Sequence, residues 1–161
     1  MQRALRRDCW GFTLIEVLVV IVIVAILASI GLPLAELAKK RQQEDELRIA
    51  LRQIRTAIDA YKQAGDEGRI ERAPDQSGYP PDLRVLFAGV VDAKSPERKN
   101  IYFLRQLPRD PFAPIDVPAE NTWALRSYAS PPDAPAPGED VFDVHSKSPA
   151  KGMNGVPYAK W

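Results

Sequence analysis

The chain predicts an α+β fold, a long amino-terminal helix packed on a small antiparallel sheet, and three observations carry that prediction. Residues Val17 to Ala35 contain no charged side chain. The segment Glu36 to Ala64 then places Leu47, Leu51, Ile54, Ile58 and Tyr61 at steps of four, three, four and three, which is one stripe of an amphipathic helix. Downstream, Thr122 to Ala129 and Val141 to Ser146 alternate with the period of two that a strand requires.

The uncharged run is nineteen residues long. At ~1.5 Å per helical residue it spans about 28 Å, close to the ~30 Å hydrocarbon core of a bilayer. A single crossing follows, because no second such run exists in the sequence. A cleaved secretory signal fits poorly: its apolar core is ~7–15 residues long and ends at small residues, whereas this run is longer and carries Pro33 near its end. Charge does not orient the span, since Arg3, Arg6 and Arg7 precede it and Lys39, Lys40 and Arg41 follow it. Glu16 stands at its lip. A carboxylate carried into hydrocarbon costs at least ~2.5 kcal/mol, so Glu16 either rests at headgroup level, as in an ordinary signal anchor, or has a partner.

Gly11-Phe12-Thr13-Leu14-Ile15-Glu16, followed by the apolar run and Pro33, resembles the class III signal of type IV pilins and of the pseudopilins of type II secretion. The resemblance implies the type IV pilin fold. It implies a leader peptide, 1–11, removed by prepilin peptidase between Gly11 and Phe12, with N-methylation of Phe12. It further implies a transmembrane and polymerisation helix at 12–35, an amphipathic continuation at 36–64 and a periplasmic globular region at 65–161. Glu16 becomes the fifth mature residue, which in this family meets the amine of a neighbouring subunit's first residue, here Phe12. The implied partners are further copies of the chain, other pseudopilins, an inner-membrane assembly platform and the lipid bilayer. The amino terminus is expected in the cytoplasm before processing and the carboxyl-terminal domain in the periplasm, on a single-pass inner-membrane anchor.

Composition agrees with a small exported domain on a stalk. Removing Met1 to Gly11 takes away Arg3, Arg6, Arg7 and Asp8, so the formal net charge of +1 becomes −1 over 150 residues. Such a chain has no electrostatic footprint for nucleic acid. Its one cysteine, Cys9, lies in the leader, and the mature chain must hold together without disulfides.

If Phe12 to Ala64 is one helix, it is roughly 80 Å long. Pro33 removes the hydrogen bond to the Ser29 carbonyl and Gly31 weakens the same turn, so a kink or local melting is expected there. Around the stripe, Glu44, Asp45 and Glu46 precede Arg48 and Arg52 at spacings that allow ion pairs along the helix. Gly65 and Gly68 read as the helix stop.

Arg69 to Asp82, with Pro74, Gly78, Pro80 and Pro81, has loop chemistry. Leu83 to Val91 fits a short helix and the start of a strand equally. The stretch Ile101 to Phe112 resembles the "YL..LP.DPF/W" segment that follows the helix in major pseudopilins, and Asp110-Pro111 within it predicts a turn. The two later strand-like runs predict an antiparallel pair that lays Trp123, Leu125, Phe142 and Val144 over the helical stripe. Ser130 to Asp140, rich in proline, connects them as an extended exposed loop, either inert or a partner contact. The aromatic residues of the carboxyl end, Tyr158 and Trp161, are expected to pack back on the domain.

Major pseudopilins carry a calcium site in the loop after an "FDxxS" strand, built from aspartates and backbone carbonyls. Here Ser146 to Gly155 reads SKSPAKGMNG and contains no acid. Calcium wants six to eight oxygens, with affinity rising with carboxylate count, so this family site is expected to be absent, with Tyr158 and Trp161 supplying its role by packing. No cofactor or metal is expected.

An enzyme is not expected either. Asp143, the single histidine His145, and Ser146 suggest a triad, but on a strand Ser146 points away from the other two. The remaining choice lies between a type II secretion pseudopilin and a pilin of a surface fibre used for adhesion, motility or DNA uptake. LPRDPF, VFDVHS and the missing cysteine pair favour the secretion branch.

Overall fold

The computed structural model describes residues 11–74 and 76–161. The leader residues Arg3, Arg6, Arg7, Asp8 and Cys9 lie outside them. The chain divides after Lys40 into two units, the second being Arg41–Trp161.

Helix α1 covers Leu14–Asp66. Gly11, Phe12 and Thr13 precede it in non-helical conformation, so the helix begins two residues later than Phe12. Gly31 and Pro33 both lie within α1, and the helical backbone continues across them. Just upstream, the Ser29 hydroxyl donates to the Ile26 carbonyl at 2.7 Å. At the other end Gly65 remains helical and the stop falls at Gly68, whose φ of 71° a residue with a Cβ adopts at a cost. Arg69 N–H reaches back to the Ala64 carbonyl and Gly68 N–H to that of Gly65, both at 2.9 Å, a Schellman closure of the last turn.

Within the second unit the stripe is buried as its spacing requires. Leu47, Ile54 and Ile58 are fully buried, and Ala50, Leu51 and Ala57 nearly so. Removing one such aliphatic side chain from water contributes about 1.5–3 kcal/mol. Tyr61 lies at the margin, edge-on to Phe103 with ring centroids 5.5 Å apart. The covering layer comes from Leu83, Leu86, Leu107, Trp123, Val141, Val144 and Tyr158.

Strand β3, Trp123–Arg126, pairs antiparallel with β4, Asp143–Ser146, in the register Trp123 to Ser146 and Leu125 to Val144. A four-residue helix, Ala119–Thr122, leads into β3. The expectation for Phe142 is corrected: it precedes β4, the backbone bends there, and Val141 enters the core instead. Phe142 joins a separate aromatic group, edge-on to Tyr79 at 5.0 Å and to Tyr128 at 5.5 Å. Strict alternation holds only where the ladder runs, and that ladder begins at Asp143.

Leu83 to Val91 contains both of the structures its sequence allows. Val85–Ala88 is a single helical turn, and after Gly89, at φ 90°, strand β1, Val90–Val91, forms a second antiparallel ribbon with β2, Asn100–Ile101. Two-residue strands are too short to leave a periodic signature.

Candidate functional site

The amino-terminal motif is built around a helix start. Thr13 caps α1: its carbonyl accepts Val17 N–H at 3.2 Å and its hydroxyl accepts Glu16 N–H at 3.3 Å. Thr13-Leu14-Ile15-Glu16 thus has the order of a capping box, with Glu16 in the first turn, where the helix dipole favours a negative charge by about 0.3–1 kcal/mol. The Gly11–Phe12 bond lies ahead of this cap in exposed, non-helical chain. Beyond Glu16 the helix presents large apolar side chains from Val17 to Leu27, Ala25 apart, exposed on every side. Among the described residues α1 is the one helix long and apolar enough to cross a membrane.

In the second unit, the two motifs singled out in the sequence meet. Asp110 makes the expected turn, its carboxylate accepting Phe112 N–H at 2.8 Å and its carbonyl accepting Ala113 N–H at 3.1 Å. Its other carboxylate oxygen accepts the hydroxyl of Ser146, the last residue of VFDVHS. Thr122 Oγ1 receives Asp110 N–H at 3.2 Å, and Trp123 Nε1–H donates to the Pro108 carbonyl at 2.9 Å. Asp110 and Ser146 are both buried, so the LPRDPF turn and β4 are joined away from water.

Helix α1 holds the carboxyl-terminal segment through Arg55, Glu44 and Arg48. Arg55 donates from Nε to Asp143 at 2.7 Å, and from Nη2 to the Val144 carbonyl at 3.1 Å and the Trp161 backbone oxygen at 2.7 Å. Glu44, buried, accepts Met153 N–H at 2.8 Å and Tyr158 Oη–H at 2.9 Å on the same oxygen, Oε1. Tyr158 is fully buried, stacked on Phe112 at 4.3 Å and edge-on to Trp161 at 5.0 Å. Burial, and then the bond to Glu44, push its phenol up to about 12. Arg48 lies over the Trp161 ring at 4.6 Å and pairs with Asp45 at 3.6 Å, one residue closer than the i,i+4 spacing.

A family model described as the prokaryotic N-terminal methylation motif matches residues 7–32. The type II secretion system core protein G of Vibrio cholerae serotype O1 is 32% identical over 109 residues, 66% of this chain and 67% of that protein. The same-named protein of Klebsiella michiganensis is 31% identical over 111 residues, 66% of this chain and 70% of the relative. The chain belongs to the type II secretion core protein G family. The corresponding protein of Dickeya chrysanthemi is 30% identical over 106 residues, 63% of this chain and 62% of the relative. No solved structure matches the chain significantly.

Lys147 to Val156, the loop after β4, supplies no carboxylate, and Glu44, which reaches it from α1, has Oε1 already receiving two hydrogens. Among the described residues no three His, Cys, Asp or Glu side chains are gathered where an ion would sit. The residues present do not fit the calcium site of the family, which needs converging oxygens, not converging N–H and O–H groups.

The triad geometry fails as strand alternation requires. Ser146 is buried and donates to Asp110, while His145, half-buried on the opposite face, has its pKa lowered by burial against the raising effect of Asp143. Asp143 is engaged by Arg55.

Sequence reasoning missed Glu44, Arg55 and the Asp110–Ser146 link. Glu44 left a signal: it lies three residues before Leu47, on the apolar stripe itself, and a carboxylate on a buried stripe needs hydrogen-bond donors. Arg55 left none, because a residue flanking the stripe reads as solvent-facing.

Proposed function

We propose that this chain is a structural, non-catalytic subunit of a type II secretion pseudopilus, assembled through its amino-terminal helix to drive protein export across the outer membrane. The observation that carries the reading is the pairing of the methylation motif at 7–32 with likeness to core protein G over two thirds of both chains. Prepilin peptidase cuts between Gly11 and Phe12, and Phe12 is methylated. The anchor stays in the inner membrane with the carboxyl-terminal domain in the periplasm.

Assembly follows from the chemistry of the exposed helix. Apolar side chains around its full circumference are satisfied by lipid and then by neighbouring helices. Glu16, in the first turn, carries one buried charge into that contact. The amine of a neighbour's Phe12 compensates it, and an unpaired carboxylate there is costly. Pro33 and Gly31 supply a weak turn at which the helix bends when subunits pack. No cofactor is used, and Tyr158 and Trp161 close the carboxyl end by packing.

Membrane fractions and sheared fibres from cells expressing Gly11→Glu or Glu16→Ala test this reading. Gly11→Glu retains the leader and migrates as a heavier band. Glu16→Ala is processed and inserted but enters fibres poorly; a wild-type fibre yield from it removes the charge pairing from the mechanism.

A further inference from the structure

We propose that Glu44 is the positioning residue that holds the carboxyl-terminal loop to the long helix, and that this loop is built to meet an anion and not a calcium ion. An ion collects oxygens. Here the loop instead turns hydrogens toward an anion supplied by the helix.

Four observations meet at this residue. Glu44 is buried, on the apolar stripe of α1, where a carboxylate without donors would be strongly destabilising. Its Oε1 accepts Met153 N–H at 2.8 Å and Tyr158 Oη–H at 2.9 Å, groups 109 and 114 residues away in the chain. The loop between those donors is shaped for this contact: Gly152 N–H bonds the Val156 carbonyl and Gly155 N–H bonds the Gly152 carbonyl, both at 2.9 Å, and Gly155 takes φ 78°. The loop is then pinned at its far side, where Tyr158 N–H reaches the Ala150 carbonyl at 3.1 Å and Lys151 bridges Pro157. These bonds engage the carbonyls of Ala150, Gly152 and Val156 within the protein. A cation placed at Oε1 would face the hydrogens of Met153 and Tyr158, which repel it.

The loop of this family member therefore folds without a divalent ion. The claim concerns how the domain is held and does not depend on the secretion role, so the two readings fail separately.

The test uses the full chain in detergent micelles. Thermal unfolding is followed by tryptophan fluorescence in EGTA and in millimolar calcium chloride, and amide exchange is read at Met153. The wild-type midpoint is expected to be the same in both solutions. Glu44→Ala strips both acceptor bonds and speeds Met153 exchange by about ten-fold or more, through local opening of the loop. Glu44→Gln keeps a carbonyl acceptor of the same reach and restores most of the protection. If Glu44→Ala fails to fold, Tyr158→Phe, which removes one donor and leaves the ring, gives a several-fold rise by the same readout. A midpoint raised by calcium in wild type and lost in Glu44→Gln would make Glu44 a metal ligand and overturn the proposal. Unchanged Met153 exchange in both Glu44→Ala and Tyr158→Phe would overturn it too.

Discussion

Replacing Asp110 by alanine removes the carboxylate that joins the LPRDPF turn to β4, and the structure sets the size of the effect. Two acceptor bonds disappear, from Phe112 N–H at 2.8 Å and from the Ser146 hydroxyl. The Ser146 hydroxyl is left in a fully buried site. Hydrogen bonds to charged groups contribute about 1.5–3 kcal/mol each, which puts Asp110→Ala near ~4 kcal/mol and Ser146→Ala near ~2 kcal/mol. For a chain of this length about 2–4 °C is lost per kcal/mol, so midpoints fall by roughly 12 °C and 6 °C. The double variant distinguishes a direct bond from two unrelated defects. With the serine already removed, losing the carboxylate costs only its Phe112 bond, and the pair should total ~4 kcal/mol with a coupling near ~2 kcal/mol. Thermal unfolding of the four proteins in detergent, followed by tryptophan fluorescence, measures the cycle. Additive losses would refute the argument that these motifs act through one buried bond. Asp110→Asn adds a check on charge: its amide donates to a Ser146 hydroxyl turned to accept, so its cost should fall below that of alanine.

Two further outcomes follow from the carboxyl-terminal segment. A Cβ added at Gly152 lies 2.4 Å from Trp161 Cζ2 and 2.8 Å from Asn154 Oδ1, so Gly152→Ala forces the ring off its place and costs about 1–3 kcal/mol. The loss is visible as a shift in tryptophan emission. The phenol of Tyr158 titrates at about 12 in the folded chain against ~10 when unfolded. A raised folded pKa gives stability that is complete below pH ~10 and is lost as pH climbs through 12. Midpoints measured from pH 9 upward should fall over that window in wild type and less in Tyr158→Phe, and parallel curves would count against the buried phenol as the cause.

How much of this was legible in the sequence depends on the range of the interaction. The long helix was readable because nineteen uncharged residues match the thickness of a bilayer and a five-member stripe repeats the helical period, and burial of Leu47, Ile54 and Ile58 follows from the stripe. The β3–β4 pair was readable where alternation is strict and misread at Phe142, one residue outside the ladder. The Asp110 turn was local, hence visible; its bond to Ser146, 36 residues away, was not. Glu44 and Arg55 belong to the same class, since a charge on a helix reports its own face and not which distant backbone will come to meet it. The ribbon of Val90–Val91 with Asn100–Ile101 is held by ladder bonds too few to impose a pattern.

The secretion role is decided by the extracellular protein profile of cells lacking this gene, compared with the same cells carrying it. Exported proteins should accumulate in the periplasm of the deletion strain, and the wild-type copy, but not Glu16→Ala, should return them to the medium. An unchanged profile, with the processed chain recovered in sheared surface fibres, would contradict that role.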